Sequence, residues 1–164
     1  QRAQTFTVDG VEYQTLSDLD TLLTVAVGLG TDIQTGQHNL KKIWDLYMIL
    51  RVLDRDTDWD AFFARRSSEG SLRLVLNVLA FCLLLLGANS DCPHLTKALE
   101  RRGKLLLVKT PEHALAIYGR PRRHLANRLL FSRLLPVSMP RYWASRVVTL
   151  PARLWHYRKP HRPR

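Results

Sequence analysis

The stretch 74-LVLNVLAFCLLLLGA-88 is the most apolar part of the chain, and it decides how the rest must fold. It contains one polar side chain, that of Asn77. A helix that crosses a bilayer needs about 20 mostly apolar residues, so this stretch is too short. Ser71 before it and Gly87 at its end are typical first and last residues of a helix. We therefore predict a helix buried in the centre of a protein core.

The length and composition of the chain predict one compact unit around that helix. The 164 residues are 46% hydrophobic, which is enough for one substantial core. The chain begins at Gln1 and not at Met, and we expect it to be processed or to be a piece of a longer protein. No apolar signal-peptide region follows Gln1, and Cys82 and Cys92 do not have the spacing of a metal site. We therefore expect a reducing, cytoplasmic compartment.

Four further helices are predicted, because apolar residues recur at spacings of three and four. Ser17 and Asp58 are typical N-cap residues, and Gly70 and Gly103 are typical of the residues that follow a helix. The predicted ranges are 17 to 28 or 30, 40 to 53, 59 to 66, and 93 to 102. The glycine-rich stretch 28-GLGTDIQTG-36 is predicted to be a plain loop and not a phosphate-binding loop, because it follows a helix and not a strand.

The N-terminal residues predict a β-hairpin. Apolar and polar residues alternate on both sides of Asp9 and Gly10, a dipeptide that suits a type I′ turn. The predicted fold class is therefore mainly α, a helical bundle-like lobe with a small N-terminal β-hairpin. The hairpin, which we take as the tail of a preceding domain, the helical lobe and a basic Arg/Trp/Pro-rich C-terminal region are predicted to occupy residues 1–15, 16–110 and 111–164.

The net charge of +11 is distributed very unevenly along the chain. Residues 1–60 hold ten acidic residues and five Lys or Arg, whereas residues 61–164 hold four acidic residues and twenty Lys or Arg. No acidic residue follows Glu112, and twelve Lys and Arg follow it among aromatic residues. Such a segment can bind phosphates and stack on bases, lie on an anionic membrane, or pair with the acidic first half.

No catalytic constellation is evident in the residues themselves. Asp18 and Asp20 have the spacing of two metal ligands on a strand, but on a helix they point about 200° apart. We therefore favour helix capping over metal binding for this pair. The six histidines include no pair three or four residues apart, and no nucleophile motif of the Gly-x-Ser-x-Gly kind is present.

Residues 6–103 resemble the helical C-terminal part of a family of uncharacterised nucleotidyltransferase-like proteins. The resemblance rests on 41-KKIWDLYMILRVLDRDTDWDAFFARRSSEGSLRLVLNVLAFCLLLLGA-88, in which a Trp-Asp-Leu helix precedes an Asp-Trp helix start and a long Leu-rich helix. The preceding 8-VDGVEYQTLSDLDTLL-23 is similar to the strand pair and helix entry of that family.

The resemblance implies that the catalytic residues lie outside this chain. The family's signature is a Gly-Ser pair followed about ten residues later by Asp-x-Asp, in an upstream α/β domain. The complete protein would use Mg²⁺ and a nucleoside triphosphate to transfer a nucleoside monophosphate to an unknown acceptor. This chain would be a non-catalytic helical portion whose partner is that upstream domain. Family members tend to carry histidines where this chain has Val27 to Gly30, a departure that leaves the activity of the complete protein open.

Asp45 is the one candidate site residue of the helical lobe. It lies beside the apolar face of its predicted helix, where it can pair with Lys41 or Lys42. The resemblance adds a second interpretation, in which Asp45 orients groups next to the nucleotide-binding domain. Trp44 and Trp59 are predicted to be hydrophobic anchors of helix packing.

The alternative function depends on the basic C-terminal region. In this interpretation the chain is a stand-alone helical module that binds RNA or an anionic membrane surface. The candidate contacts to phosphate or nucleic acid are Arg120, Arg122, Arg123 and Arg128.

Overall fold

The computed structural model describes residues 4–35 and 39–119, which form two strands and six α-helices. The strands are β1 (Gln4–Val8) and β2 (Val11–Thr15). The helices are α1 (Asp18–Thr35), α2 (Leu40–Leu53), α3 (Trp59–Ser68), α4 (Leu72–Leu86), α5 (Pro93–Glu100) and α6 (Pro111–Tyr118). The predicted class, mainly α with a small N-terminal hairpin, is confirmed.

The strands β1 and β2 pair in antiparallel fashion, with Val8 opposite Val11. Asp9 and Gly10 between them have φ values of 51° and 79°. A type I′ turn requires positive φ at both central residues, so the turn prediction is confirmed. Every side chain of β2 is exposed. Since a two-stranded hairpin is marginally stable by itself, its pairing alone contributes little to the stability of the lobe.

The helix α4 forms the centre of the core, as its apolar sequence predicts. Its residues 74 to 83 are all buried, and α1, α2, α3, α5 and α6 each pack against it. Gly87 ends the helix with a φ of 64°, in the left-handed conformation expected of such a residue. Within the described part of the chain, no helix combines the length and the apolar character needed to cross a membrane.

The helix α1 is longer than its sequence suggests, and two predictions fail there. We expected it to end at Gly28 or Gly30 and a loop to follow, but it continues to Thr35. Its buried residues Leu29 and Ile33 continue the apolar face beyond the glycines. A Cβ atom on Gly30 would lie 2.8 Å from Leu74 Cδ1, so this glycine allows α1 to approach α4 closely and does not end the helix.

The two glycines of α1 should respond differently to the same substitution. Gly28→Ala is expected to stabilise the protein by about 0.5–1 kcal/mol, because Ala is the better helix former and no atom lies within 4 Å of the added Cβ. Gly30→Ala should be less stable than Gly28→Ala by about 1 kcal/mol or more, because buried Leu74 and Val78 must move. Urea unfolding of both variants tests this difference. Equal stability would show that α1 and α4 pack less closely than described.

The remaining helix ends agree with the sequence to within two residues. The carboxylate of Asp58 accepts hydrogen bonds from the backbone N–H groups of Asp60 and Ala61, which confirms it as the N-cap of α3. Gly70 has a φ of 75°, and α3 ends at Ser68 just before it. The predicted helix from 93 to 102 ends at Glu100.

The two tryptophans of the helical lobe differ in burial. Trp59 is buried against Phe62 and Phe63, as predicted. Trp44 is 52% exposed, so its predicted role as a packing anchor is wrong. The apolar face of α2 that points inward contains Ile43, and the next residue along a helix points about 100° away.

Candidate functional site

A cavity of about 590 Å³ lies where α1 begins, α2 ends and α3 begins. Its volume falls within the range of about 300–1,000 Å³ that is usual for small-molecule sites. Six of the twelve residues that line it have ionisable side chains. These are Asp18, Asp20, Asp56, Asp58, Arg65 and Arg66.

The first side of the cavity is the start of α1. The hydroxyl of Ser17 accepts a hydrogen bond from the backbone N–H of Asp20 at 3.2 Å and donates one to Asp20 Oδ2 at 2.8 Å. This Ser-x-x-Asp arrangement closes the first turn of the helix, as the sequence predicts. The neighbouring side chain of Asp18 forms no hydrogen bond or ion pair with any residue that the structure describes.

The second side is the turn between α2 and α3. The backbone N–H groups of Asp56 and Thr57 both donate to the carbonyl oxygen of Leu53, at 3.3 and 3.1 Å, and this tightens the turn. Asp58 Oδ1 is engaged in capping α3. The carboxylate of Asp56 is exposed and, within residues 4–35 and 39–119, has no hydrogen-bond or ion-pair partner.

The third side is α3, from which Arg66 contributes a buried cation. Its side chain is 3% exposed, its Nη1 lies 2.9 Å from Glu69 Oε2, and its guanidinium lies 5.2 Å from the centre of the Phe62 ring. The Nε of Arg66 is buried and has no acceptor. Arg65 pairs with the same carboxylate, with its Nε 3.1 Å from Glu69 Oε1. Glu69, which is not part of the cavity wall, therefore forms ion pairs with both arginines.

These carboxylates do not have the arrangement of a magnesium site. Asp18 and Asp20 lie two residues apart in the first turn of α1, so their side chains diverge. Asp20 is already engaged by Ser17, and Asp58 by the start of α3. Among the residues with a described position, no group of three or more His, Cys, Asp or Glu is placed to hold a metal ion. The described residues therefore do not fit Mg²⁺.

The residues singled out from the sequence lie elsewhere. Asp45 does not line the cavity; its Oδ2 lies 2.7 Å from Lys41 Nζ, and its side chain is 46% exposed. The predicted pairing with Lys41 is confirmed, and an orienting role for Asp45 stays a prediction. The predicted phosphate contacts all fall beyond Gly119, outside the described residues; they are Arg120, Arg122, Arg123 and Arg128.

Sequence reasoning missed Arg66, although a signal for it exists. Trp59, Phe62, Phe63 and Arg66 follow one another at spacings of three, one and three, which is the pattern of one helix face. That face is buried, so the arginine on it must be buried too. A charged residue at a position of the apolar face is therefore a recognisable sign of a polar cavity or a buried ion pair.

Away from the cavity, burial and hydrogen bonding raise the pKa values of a tyrosine and two cysteines. The hydroxyl of Tyr47 donates to Asp91, and this hydrogen bond raises the pKa of the tyrosine. Burial raises the pKa of the Cys82 thiol to about 12 and that of Cys92 to about 11. Both thiols therefore stay protonated near neutral pH, as expected of structural cysteines and not of nucleophiles.

Comparison with known proteins links this chain to one family. A family model described as an uncharacterised nucleotidyltransferase matches residues 1–87, which is slightly more than half of the chain. The matched range runs from the hairpin to the end of α4 and includes every wall of the cavity. No curated protein and no solved structure matches the chain.

Proposed function

Because the chain belongs to the uncharacterised nucleotidyltransferase family, we propose that the complete protein transfers a nucleoside monophosphate from a nucleoside triphosphate to an acceptor. An oxygen of the acceptor forms a bond to the α-phosphorus, the bond from that phosphorus to the bridging oxygen breaks, and pyrophosphate leaves. The family match over residues 1–87 is the observation that carries this proposal.

Within that protein, this chain is a non-catalytic helical portion, and Mg²⁺ and the triphosphate are held by an upstream domain of the same polypeptide. This division is supported by what the carboxylates near the cavity do. Asp20 and Asp58 have backbone or hydroxyl partners that build the starts of α1 and α3. Carboxylates in these positions stabilise helix N-termini, which is a structural task.

The exposed side of α2 is the surface that contacts the upstream domain in this proposal. Leu40, Trp44, Met48 and Val52 are all exposed and follow one another at a spacing of four, so they form one apolar stripe. A contiguous apolar stripe of this kind marks an interaction surface. Asp45 lies beside this stripe with Lys41, and in this position it can orient groups of the neighbouring domain.

The cavity at the start of α1 and α3 is the acceptor side in this proposal. It lies within the matched range, and its size suits a small molecule. Its free carboxylates, Asp18 and Asp56, are polar groups available to a ligand. An acceptor held there would be presented by the helical lobe to a nucleotide held by the upstream domain.

The test begins with the gene. The open reading frame upstream of the Gln1 codon is translated and the complete protein is produced. We expect a Gly-Ser pair followed about ten residues later by Asp-x-Asp. With Mg²⁺, an α-labelled triphosphate and a protein-free metabolite extract, the complete protein should transfer label and release pyrophosphate.

The control for this assay is the complete protein with both aspartates of the upstream Asp-x-Asp pair replaced by Asn. This variant should neither transfer label nor release pyrophosphate. An upstream frame without the motif, or label transfer that survives the double replacement, would reject the proposal.

A further inference from the structure

We propose that the groove between the start of α1 and the end of α2 is the docking site of the chain's own basic segment, residues 120–135. This segment lies outside the described residues and follows Gly119, the residue after α6. Three features support the assignment: the apolar floor of the groove, the charges beside it, and the composition and length of the segment.

The groove has an apolar floor that remains uncovered in the described part of the chain. Its volume is about 330 Å³, and its floor is formed by the second half of α2. Val52 is 73% exposed and Met48 is 41% exposed, and both belong to the apolar stripe on α2. Ile49 and Leu53 lie half-buried beside them. Adjoining apolar side chains that remain exposed mark a surface on which another segment or protein packs.

The charges beside this floor are acidic. Asp18 lines the groove, and Asp56 follows Leu53 in the turn after α2. Neither carboxylate has an ion-pair partner among the described residues, and none of the described residues that line the groove is Lys or Arg. The apolar floor thus calls for apolar side chains, and the acidic edge favours an occupant that also carries positive charge.

The segment 120-RPRRHLANRLLFSRLL-135 has this composition. It contains five Arg and no acidic residue, together with five Leu and one Phe. Its apolar side chains match the floor of the groove, and its guanidinium groups match the carboxylates of Asp18 and Asp56. The segment is therefore complementary to the groove in both apolar character and charge.

Other occupants fit the groove less well. RNA and an anionic membrane carry the same sign of charge as Asp18 and Asp56, so these carboxylates repel them. A second copy of the chain that packed groove to groove about a twofold axis would bring the same carboxylates close to their own copies. Like charges placed together in this way destabilise an interface. The basic segment of the same chain meets neither difficulty.

The length of the chain allows the segment to reach the groove. Residues 120–129 can extend over about 33–36 Å. A domain of about 100 residues has a radius of gyration of only about 13 Å. Because the segment is tethered to the lobe, its effective concentration is about millimolar, and weak docking suffices. Loop closure costs more entropy as the loop lengthens, which favours residues 120–135 over the more distant residues 136–164.

The docked segment covers surfaces that the proposed function uses. Met48 and Val52 belong to the stripe that contacts the upstream domain, and Asp18 and Leu53 line both the groove and the acceptor cavity. The segment therefore holds the isolated lobe in a closed form, and the upstream domain opens it by displacing the segment from α2. This consequence rests on the proposed function, whereas the docking itself does not.

The docking is tested by NMR on residues 1–164 with a nitroxide label in the segment. Ser132→Cys supplies the attachment point, because Cys82 and Cys92 are buried and their thiols stay protonated. A nitroxide broadens the signals of nearby nuclei. We expect the amide signals of Thr21 and Val52, on the two sides of the groove, to lose most of their intensity.

The far end of α2 and a matched pair of variants serve as controls. Leu40 begins α2 about 18 Å from Val52 along the helix, so its amide signal should keep its intensity. Val52→Lys puts a positive charge in the groove and should remove the broadening at Thr21. Leu40→Lys makes the same change at the other end of the stripe and should leave that broadening unchanged. The two side chains are 73% and 54% exposed, so neither variant disturbs the core.

Four results would overturn the docking of residues 120–135. The first two are unbroadened signals of Thr21 and Val52 in the labelled chain, and equal broadening in Val52→Lys and Leu40→Lys. The third is broadening by a label at Ser145→Cys and not at Ser132→Cys, which would assign the groove to a later part of the chain. The fourth is broadening of an isotope-labelled chain by the nitroxide of another molecule, which would assign the groove to a second copy.

The complete protein separates the docking from its consequence. There the upstream domain should displace the segment, and the same label should broaden the signals of Thr21 and Val52 less. Broadening of equal strength would reject the displacement. Failure of the transfer assay with the docking intact in residues 1–164 would instead reject the proposed function and leave the docking site standing.

Discussion

Replacing Asp54 by Ala is expected to lower the free energy of unfolding by about 4 kcal/mol, the largest effect of any single substitution considered. Asp54 is 4% exposed, and its carboxylate accepts three hydrogen bonds. They come from Trp59 Nε1 at 3.2 Å, the backbone N–H of His94 at 3.0 Å and that of Leu95 at 2.7 Å. Ala leaves the two backbone donors without this acceptor in an environment that water does not easily reach, and Trp59 Nε1 keeps only its bond of 3.3 Å to the carbonyl oxygen of residue 54.

The position of Asp54 in the fold explains why the loss is large. It follows the last residue of α2, its partner Trp59 begins α3, and its other two partners lie in the first turn of α5. Cys92, the N-cap residue of α5, forms no side-chain capping hydrogen bond, and the carboxylate of Asp54, about forty residues earlier in the chain, accepts from the first turn of α5 instead. The substitution therefore loosens three helices together.

The free energy of unfolding of the original chain and of Asp54→Ala is measured with urea at neutral pH. Asp45→Ala is the matched control, because it removes the same group from an exposed pair with Lys41 and should cost less than about 0.5 kcal/mol. A loss of under 1 kcal/mol for Asp54→Ala would show that these three hydrogen bonds do not exist in solution.

Asn77→Leu is expected to destabilise the protein by about 3 kcal/mol, although it makes α4 more apolar. Asn77 is completely buried, and its amide serves both as acceptor and donor. Its Oδ1 accepts from the backbone N–H of Leu107 at 2.6 Å, and its Nδ2 donates to the carbonyl oxygens of Arg73 at 2.8 Å and Leu105 at 3.2 Å. Leu cannot replace these bonds, and the backbone of the segment before α6 loses its attachment to α4.

Two measurements check this effect. Urea unfolding gives the free energy, and amide hydrogen exchange at Leu107 should become much faster because its acceptor is gone. Asn39→Ala is the control, since Asn39 caps α2 at an exposed position and its loss should cost about 1 kcal/mol without affecting that amide. Unchanged or greater stability of Asn77→Leu would mean that packing outweighs the buried hydrogen bonds.

Much of the fold can be predicted from local patterns. The apolar run of α4 indicates a buried helix, and the alternation around Asp9 and Gly10 indicates a hairpin. Asp58 and Gly87 mark helix ends because their side chain or backbone conformation acts within one turn of the chain. In the candidate site, the same local rules correctly place Asp18 and Asp20 at a helix start, where a metal site is disfavoured.

The sequence by itself thus determined the class of the fold, the central helix and most helix boundaries, because these depend on residues within about four positions of one another. Only the tertiary structure decided that Gly30 marks a helix crossing, that Trp44 is exposed and that Asp54 caps α5. Likewise, it alone brought Asp18, Asp56 and Arg66 to one cavity. Periodicity shows which side of a helix is apolar, but the partner of a side chain depends on which helices meet there, and that is set by packing between distant segments.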